Sequence, residues 1–166
     1  MGRAEDLPFL YSEWSFAYQY ILSTVRQAIF RVEWRLRRKP MKEHEFYICK
    51  HCGNIVAKVI DRGPKISCCG EEMTVLKANT VDAAKEKHIP VVKVEGNKLE
   101  VNVGSVDHPM TKEHHIAFIY VQTEKGGMRK SLPVDGKPHA TFALDDDKAV
   151  AVYEYCNLHG LWKVDL

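Results

Sequence analysis

The sequence has no long apolar run. Its longest charge-free stretch near the N-terminus, residues 14–25, spans twelve residues, includes polar members and follows acidic residues. That is too short to cross a bilayer and does not have the form of a secretory signal, so the expected location is cytoplasmic. A strong charge excess is also missing. The formal net charge is +2, too near balance to indicate nucleic acid as a partner. The cysteines number five, an odd count in a chain long enough to fold without staples, which argues against a disulfide framework. There is no internal repeat and no low-complexity segment.

The charge that is present is unevenly placed. Residues 1–40 carry seven Lys/Arg against four Asp/Glu, and residues 41–166 carry seventeen against eighteen. In the first segment Trp14, Tyr18, Ile21, Val25, Ile29, Val32 and Leu36 recur at steps of three or four, which predicts a helix. Ser12 is a candidate N-cap. Arg35, Arg37, Arg38 and Lys39 suit the last turn, and Pro40 stops it. We expect an N-terminal helical extension of unknown role over residues 1–40, packed on the body or on a partner. Contact with a membrane surface is a weaker alternative.

Residues 41–77 hold short β-like runs at 46–48, 55–60 and 73–76, broken by glycines and by "DRGP". So small a module buries little core and needs a staple. Four cysteines are available in it: Cys49, Cys52, Cys68 and Cys69, spaced C-x2-C-x15-C-C in "CKHC" and "SCCG". Four thiolates around one ion make a tetrahedral zinc or iron site, and spacing alone does not separate the two. Gly53 and Gly70 follow the two pairs and permit tight backbone there. Because Cys68 and Cys69 are adjacent, the second pair is not an ordinary knuckle.

From residue 88 onward the pattern is strand after strand. "KLEVNV" (98–103) alternates with Leu99, Val101 and Val103 on one face, and further strands are predicted at 91–94, 115–123, 140–144, 149–155 and 161–164. About seven short strands with frequent turns predict a mainly β fold, an immunoglobulin-like antiparallel β-sandwich. Into the ends of these strands and their loops fall His88, His108, His114, His115 and His139, and near the C-terminus stands Cys156-x-x-His159. Loops at one end of a sandwich are where separate segments can converge on one ion, and imidazole with thiolate favours redox metals. A blue-copper site is disfavoured because no methionine follows Met128. A zinc-ribbon binding module and a non-catalytic electron carrier remain as alternatives.

The motifs "CKHCG", "CCGEEM", "EKHIPV", "GSVDHPM", "EHHI" and "EYCNLHGLWK", in that order, make residues 41–166 resemble desulfoferrodoxin, the two-iron superoxide reductase family. The resemblance implies a desulforedoxin-like four-cysteine iron domain at 41–77 and a superoxide reductase sandwich domain at 78–166. Two irons per chain are implied. Cys49, Cys52, Cys68 and Cys69 would hold one. His88, His108, His114 and His159 would bind the other equatorially, with Cys156 as its axial ligand. Glu86 and Lys87 match the family's mobile pair beside an open coordination position, with Lys87 steering superoxide and Glu86 closing the position afterwards. His115 is expected to point away from His114 by strand alternation, and His44, His51 and His139 are expected to be non-ligands. The implied reaction is one-electron reduction of superoxide to hydrogen peroxide, with a rubredoxin-like electron donor and a homodimeric assembly. The resemblance does not reach residues 1–40. Deleting them is expected to leave both metal sets intact, as metal analysis of the truncated chain would show; loss of metal on truncation would mean that the segment belongs to the fold.

Overall fold

In the computed structural model, residues 42–166 are described, and their regular structure is almost entirely antiparallel β-strand. The helix expected over residues 1–40 lies outside the described residues. Twelve strands run in chain order: β1 (Phe46–Ile48), β2 (Ile55–Ala57), β3 (Ser67–Cys68), β4 (Glu71–Glu72), β5 (Thr74–Leu76), β6 (Pro90–Glu95), β7 (Lys98–Val103), β8 (Ile116–Thr123), β9 (Gly127–Ser131), β10 (His139–Ala143), β11 (Ala149–Cys156) and β12 (Gly160–Asp165). A single helical turn, Lys85–His88, precedes β6. No described helix is long and apolar enough to cross a membrane.

The C-terminal seven strands form two sheets, β10-β7-β6 and β12-β11-β8-β9. Alternation along β7 sends Leu99, Val101 and Val103 inward, each fully buried. They meet Ile119 and Val121 of β8, Phe142 of β10 and Val152 of β11 in one core between the sheets. A sandwich results because each sheet has one apolar face and must cover it.

The outer face of the four-stranded sheet is covered as well. Phe118, Ala151, Tyr153 and Leu161 cluster there with Phe46 of β1. Phe46 is buried against the rings of Phe118, Tyr120 and Tyr153, with centroids 5.9, 5.2 and 5.5 Å away. Polar contacts frame this seam. His44 Nδ1 lies 2.6 Å from the Tyr120 hydroxyl, and Lys163 Nζ lies 2.6 Å from a Glu43 carboxylate oxygen. Strands β8 and β11 are thus buried on both faces, which explains their nearly continuous apolar sequence.

One irregularity matters for the site. Tyr155 pairs with Phe118, but the next residue, Cys156, pairs with Ile116, so Ala117 is an extra residue on β8. This β-bulge switches the face of the residues before it. Ile116 thereby joins the inner core beside Cys156.

Truncating Phe46 removes the ring that joins β1 to the sandwich. Phe46→Ala is expected to destabilise the metal-loaded protein by about 3 to 5 kcal/mol in urea unfolding. A loss under about 1 kcal/mol would show that this seam contributes little to the fold.

Candidate metal centres

The structure gathers the nine candidate ligands into two clusters. In each, the donor atoms lie within 4.8 Å of one another: Cys49, Cys52, Cys68 and Cys69 in one, and His88, His108, His114, Cys156 and His159 in the other. His44, His51, His115 and His139 are in neither.

The four-cysteine cluster is built from two turns. In the first, Gly53 N–H donates to the Cys49 carbonyl and Cys49 N–H to the Asn54 carbonyl, both at 2.9 Å, with Gly53 at φ +76°. In the second, β3 and β4 form a two-residue hairpin across Cys69 and Gly70, whose φ values are +53° and +84°. Both central residues of such a turn need positive φ, which glycine adopts freely and cysteine does not. The Sγ atoms of Cys52 and Cys68 approach to 3.6 Å, and no disulfide joins any of these cysteines. Backbone N–H groups of Cys52 and His51 bond the Cys49 sulfur and draw its pKa down to about 6, while the neighbouring Cys52 and Cys68 sulfurs push Cys69 up to about 12. Four such sulfurs become thiolates together only around a cation, so the donor set fits a thiophilic metal.

The second cluster draws five donors from three separated segments. His88 ends the helical turn, His108 and His114 lie between β7 and β8, Cys156 ends β11, and His159 sits in the turn before β12. Gly160 closes that turn at φ +73°. The four imidazoles form a closed circuit. Neighbouring centroids are 4.8 Å (His88–His108), 4.5 Å (His108–His114), 4.9 Å (His114–His159) and 4.7 Å (His159–His88), each pair steeply inclined. Trp162 is buried and stacks on His88 at 4.8 Å, while its indole N–H donates to the His159 carbonyl.

Backbone carbonyls select the nitrogen each ring presents. His88 Nδ1 lies 2.7 Å from the Ala84 carbonyl and His108 Nδ1 lies 2.6 Å from the Pro109 carbonyl. These bonds place the proton on Nδ1 and leave Nε2 free, the arrangement usual for metal-binding histidines. His159 instead presents Nδ1, 2.9 Å from His88 Nε2 and 3.6 Å from Cys156 Sγ. His108 Nε2 and His114 Nε2 are buried with no hydrogen-bond partner. Two orphaned nitrogens beside a buried thiol are costly unless something binds them, and a borderline or redox cation matches this donor set.

The electrostatics favour neutral, ligating rings. Burial lowers the pKa of His88, His108 and His114, that of His108 to about 4. Burial raises the Cys156 thiol, against the backbone N–H groups of His159 and Leu158 that bond its sulfur. Glu86 and Lys87 are exposed on the helical turn next to His88, and the Lys87 charge is felt at both His88 and His114.

His115 stays outside the cluster, but not by strand alternation. β8 begins only at Ile116, and His115 Nδ1 turns to the Thr111 carbonyl at 3.1 Å. Sequence reasoning did not anticipate the carbonyls of Ala84 and Pro109, which carry no side-chain signal. It also missed Asn157, whose side chain accepts from His115 N–H and donates to the Glu113 carbonyl, pinning the His114 loop to the Cys156 turn.

The desulfoferrodoxin family profile matches residues 80–165, and that of the desulfoferrodoxin N-terminal domain matches residues 41–76. The chain belongs to the desulfoferrodoxin family. It is 45% identical over 123 residues to a desulfoferrodoxin of Nitratidesulfovibrio vulgaris, covering 74% of this chain and 97% of that one. It is 43% identical over 119 residues to a desulfoferrodoxin homolog of Archaeoglobus fulgidus, covering 72% and 94%. The crystal structure of the superoxide reductase from Treponema pallidum aligns with a TM-score of 0.64 at 46% identity, covering 75% of this chain and all of that one. The profile matches begin at residue 41, so the first forty residues lie outside them.

The depressed histidines give the metal-free protein a pH dependence. Burial keeps their folded-state pKa below the unfolded 6.5, so the unfolded chain binds protons first as pH falls. Stability present above pH 6.5 is therefore expected to fall between 6.5 and about 4, read as a falling Tm, and His108→Gln should flatten the slope. A Tm constant across that window would contradict the assignment.

Proposed function

We propose that this desulfoferrodoxin is a superoxide reductase that reduces superoxide to hydrogen peroxide at the four-histidine, one-cysteine site. The reading rests on one observation: two orphaned imidazole nitrogens and a buried thiol converge with two further imidazoles in a chain of this family. His88, His108, His114, His159 and Cys156 would hold iron there, and Cys49, Cys52, Cys68 and Cys69 would hold a second iron. Iron bound in the first site would supply one-electron reducing chemistry, which with two protons takes superoxide to hydrogen peroxide.

The chain's own residues supply the rest. Three of the rings are kept neutral by burial, so they are ready to ligate without losing a proton. The amides of Leu158 and His159 bond the Cys156 sulfur and moderate the electron density it donates. Lys87 sits exposed at the mouth, where a cation raises the encounter rate of a small anion. Glu86 beside it is the carboxylate positioned to approach the site as product leaves. No dioxygen is released, so an external reductant is needed, and we assign that role to a rubredoxin-like donor. Residues 41–77 and 78–166 act in this reading as two domains, one per metal. Val59 and Ile60, 99% and 70% exposed in the first domain, support a homodimer, which sedimentation of the loaded protein would distinguish from a monomer.

Stopped-flow assays with superoxide test the function. One hydrogen peroxide per superoxide with no dioxygen is expected, whereas one per two superoxides would indicate dismutation. Lys87→Ala is expected to slow capture by about one to two orders of magnitude and to weaken its ionic-strength dependence. A wild-type rate in that variant would remove Lys87 from the mechanism.

A further inference from the structure

Glu86 and Lys87 stand exposed beside His88, and neither side chain makes an ion pair or a hydrogen bond among the described residues. The helical turn that carries them has four residues, far too few to be stable alone. Ala84, at the N-cap position, supplies no side-chain hydrogen bond to it. Something outside the turn must fix it.

The loop after β7 makes that contact through backbone. Gly104 N–H donates to the Ile89 carbonyl at 3.2 Å, Val106 N–H to the Glu86 carbonyl at 3.1 Å, and Ser105 Oγ to the same Glu86 carbonyl at 3.3 Å. At Gly104 the two segments touch. A Cβ there would overlap the Val106 carbonyl oxygen and lie 2.7 Å from the Glu86 carbonyl oxygen and 2.8 Å from Lys87 Cα. Each of these neighbours is backbone, so none can rotate away. Gly104 also sits at φ +83°, which disfavours any side chain. The loop is itself anchored. The Asn102 side-chain amide donates to the Gly104 carbonyl at 3.0 Å and to an Asp107 carboxylate oxygen at 3.1 Å. The next residue is His108.

We propose that loop 104–107 is the positioning element of the mouth, with Gly104 as the positioning residue that seats the Glu86–Lys87 backbone on the loop leading to His108. The inference rests on the superoxide reductase reading for its catalytic consequence. The same short loop fixes one imidazole of the site and, by direct backbone contact, the lysine beside it. A side chain at Gly104 presses on the Glu86–Lys87 backbone and moves the Lys87 ammonium, while meeting no atom of a ligand residue.

The test uses the full chain. In iron-loaded Gly104→Ala, metal content and the thiolate-to-iron absorption are expected to match wild type. Superoxide capture is expected to fall about tenfold with a weakened ionic-strength dependence. Adding Lys87→Ala to Gly104→Ala should slow the reaction little further than Lys87→Ala alone, because the two changes remove one effect. In the zinc-loaded protein the Val106 amide should exchange faster with solvent, since its bond to the Glu86 carbonyl is lost. Gly96→Ala is the control. Gly96 also has positive φ, +56°, but a Cβ there meets nothing within 4 Å, so this variant should lose stability and keep its rate. If Gly104→Ala does not fold, Asn102→Ala carries the same test by releasing the loop instead of displacing it. Additive losses in the double variant, or an unchanged rate with unchanged Val106 exchange, would overturn the proposal. If wild type itself consumes no superoxide, the functional reading fails, and amide exchange still decides whether Gly104 seats the turn.

Discussion

Burial of donor atoms that the protein does not itself satisfy is the constraint around which this fold is organised. His108 Nε2 and His114 Nε2 are removed from water with no partner, and Cys156 is fully buried beside them. A fold tolerates such groups when a ligand repays their desolvation. Metal binding and folding are then linked, because the unfolded chain offers no such set of donors. The four sulfurs near β1 pose the same problem with charge, since crowding opposes their joint ionisation.

The sandwich solves a geometric difficulty. Its five donors come from chain positions as far apart as 88 and 159, and no local motif could bring them together. Two sheets with a shared core hold the ends of β7, β8 and β11 in register, and the bulge at Ala117 turns the start of β8 so that Ile116 packs inward beside Cys156. The carbonyls of Ala84 and Pro109 then orient two of the rings. Trp162 fixes another side of the cluster by stacking on His88 and bonding the His159 carbonyl. Rigid strands flank the loops and turns that carry the ligands, and the charged mouth shares its four-residue turn with His88.

Much of this was legible in the residues. The alternation of β7 is complete in "KLEVNV", and the nine donors singled out by spacing and resemblance are the nine that the structure clusters. Other features left no readable signal. β9 reads "GMRKS", with no apolar alternation to mark it, and β3 and β4 are two residues each. Strand 55–60 stops at Ala57, because Lys58 turns back to bond Asp61 and the Pro64 carbonyl. The bulge depends on register between distant strands, and the choice of Nδ1 at His159 against Nε2 at His88 depends on neighbours that approach only after folding. His115 was placed outside the cluster through an alternation that does not exist, since the strand begins one residue later.

Anomalous diffraction at the iron edge from crystals of the iron-loaded protein addresses the central claim most directly. The account predicts two peaks per chain, one among the sulfurs of Cys49, Cys52, Cys68 and Cys69. The other should be bonded to Nε2 of His88, His108 and His114, Nδ1 of His159 and Sγ of Cys156. A chain with no iron among those imidazoles, or with iron there and the Cys156 sulfur turned away from it, would contradict it.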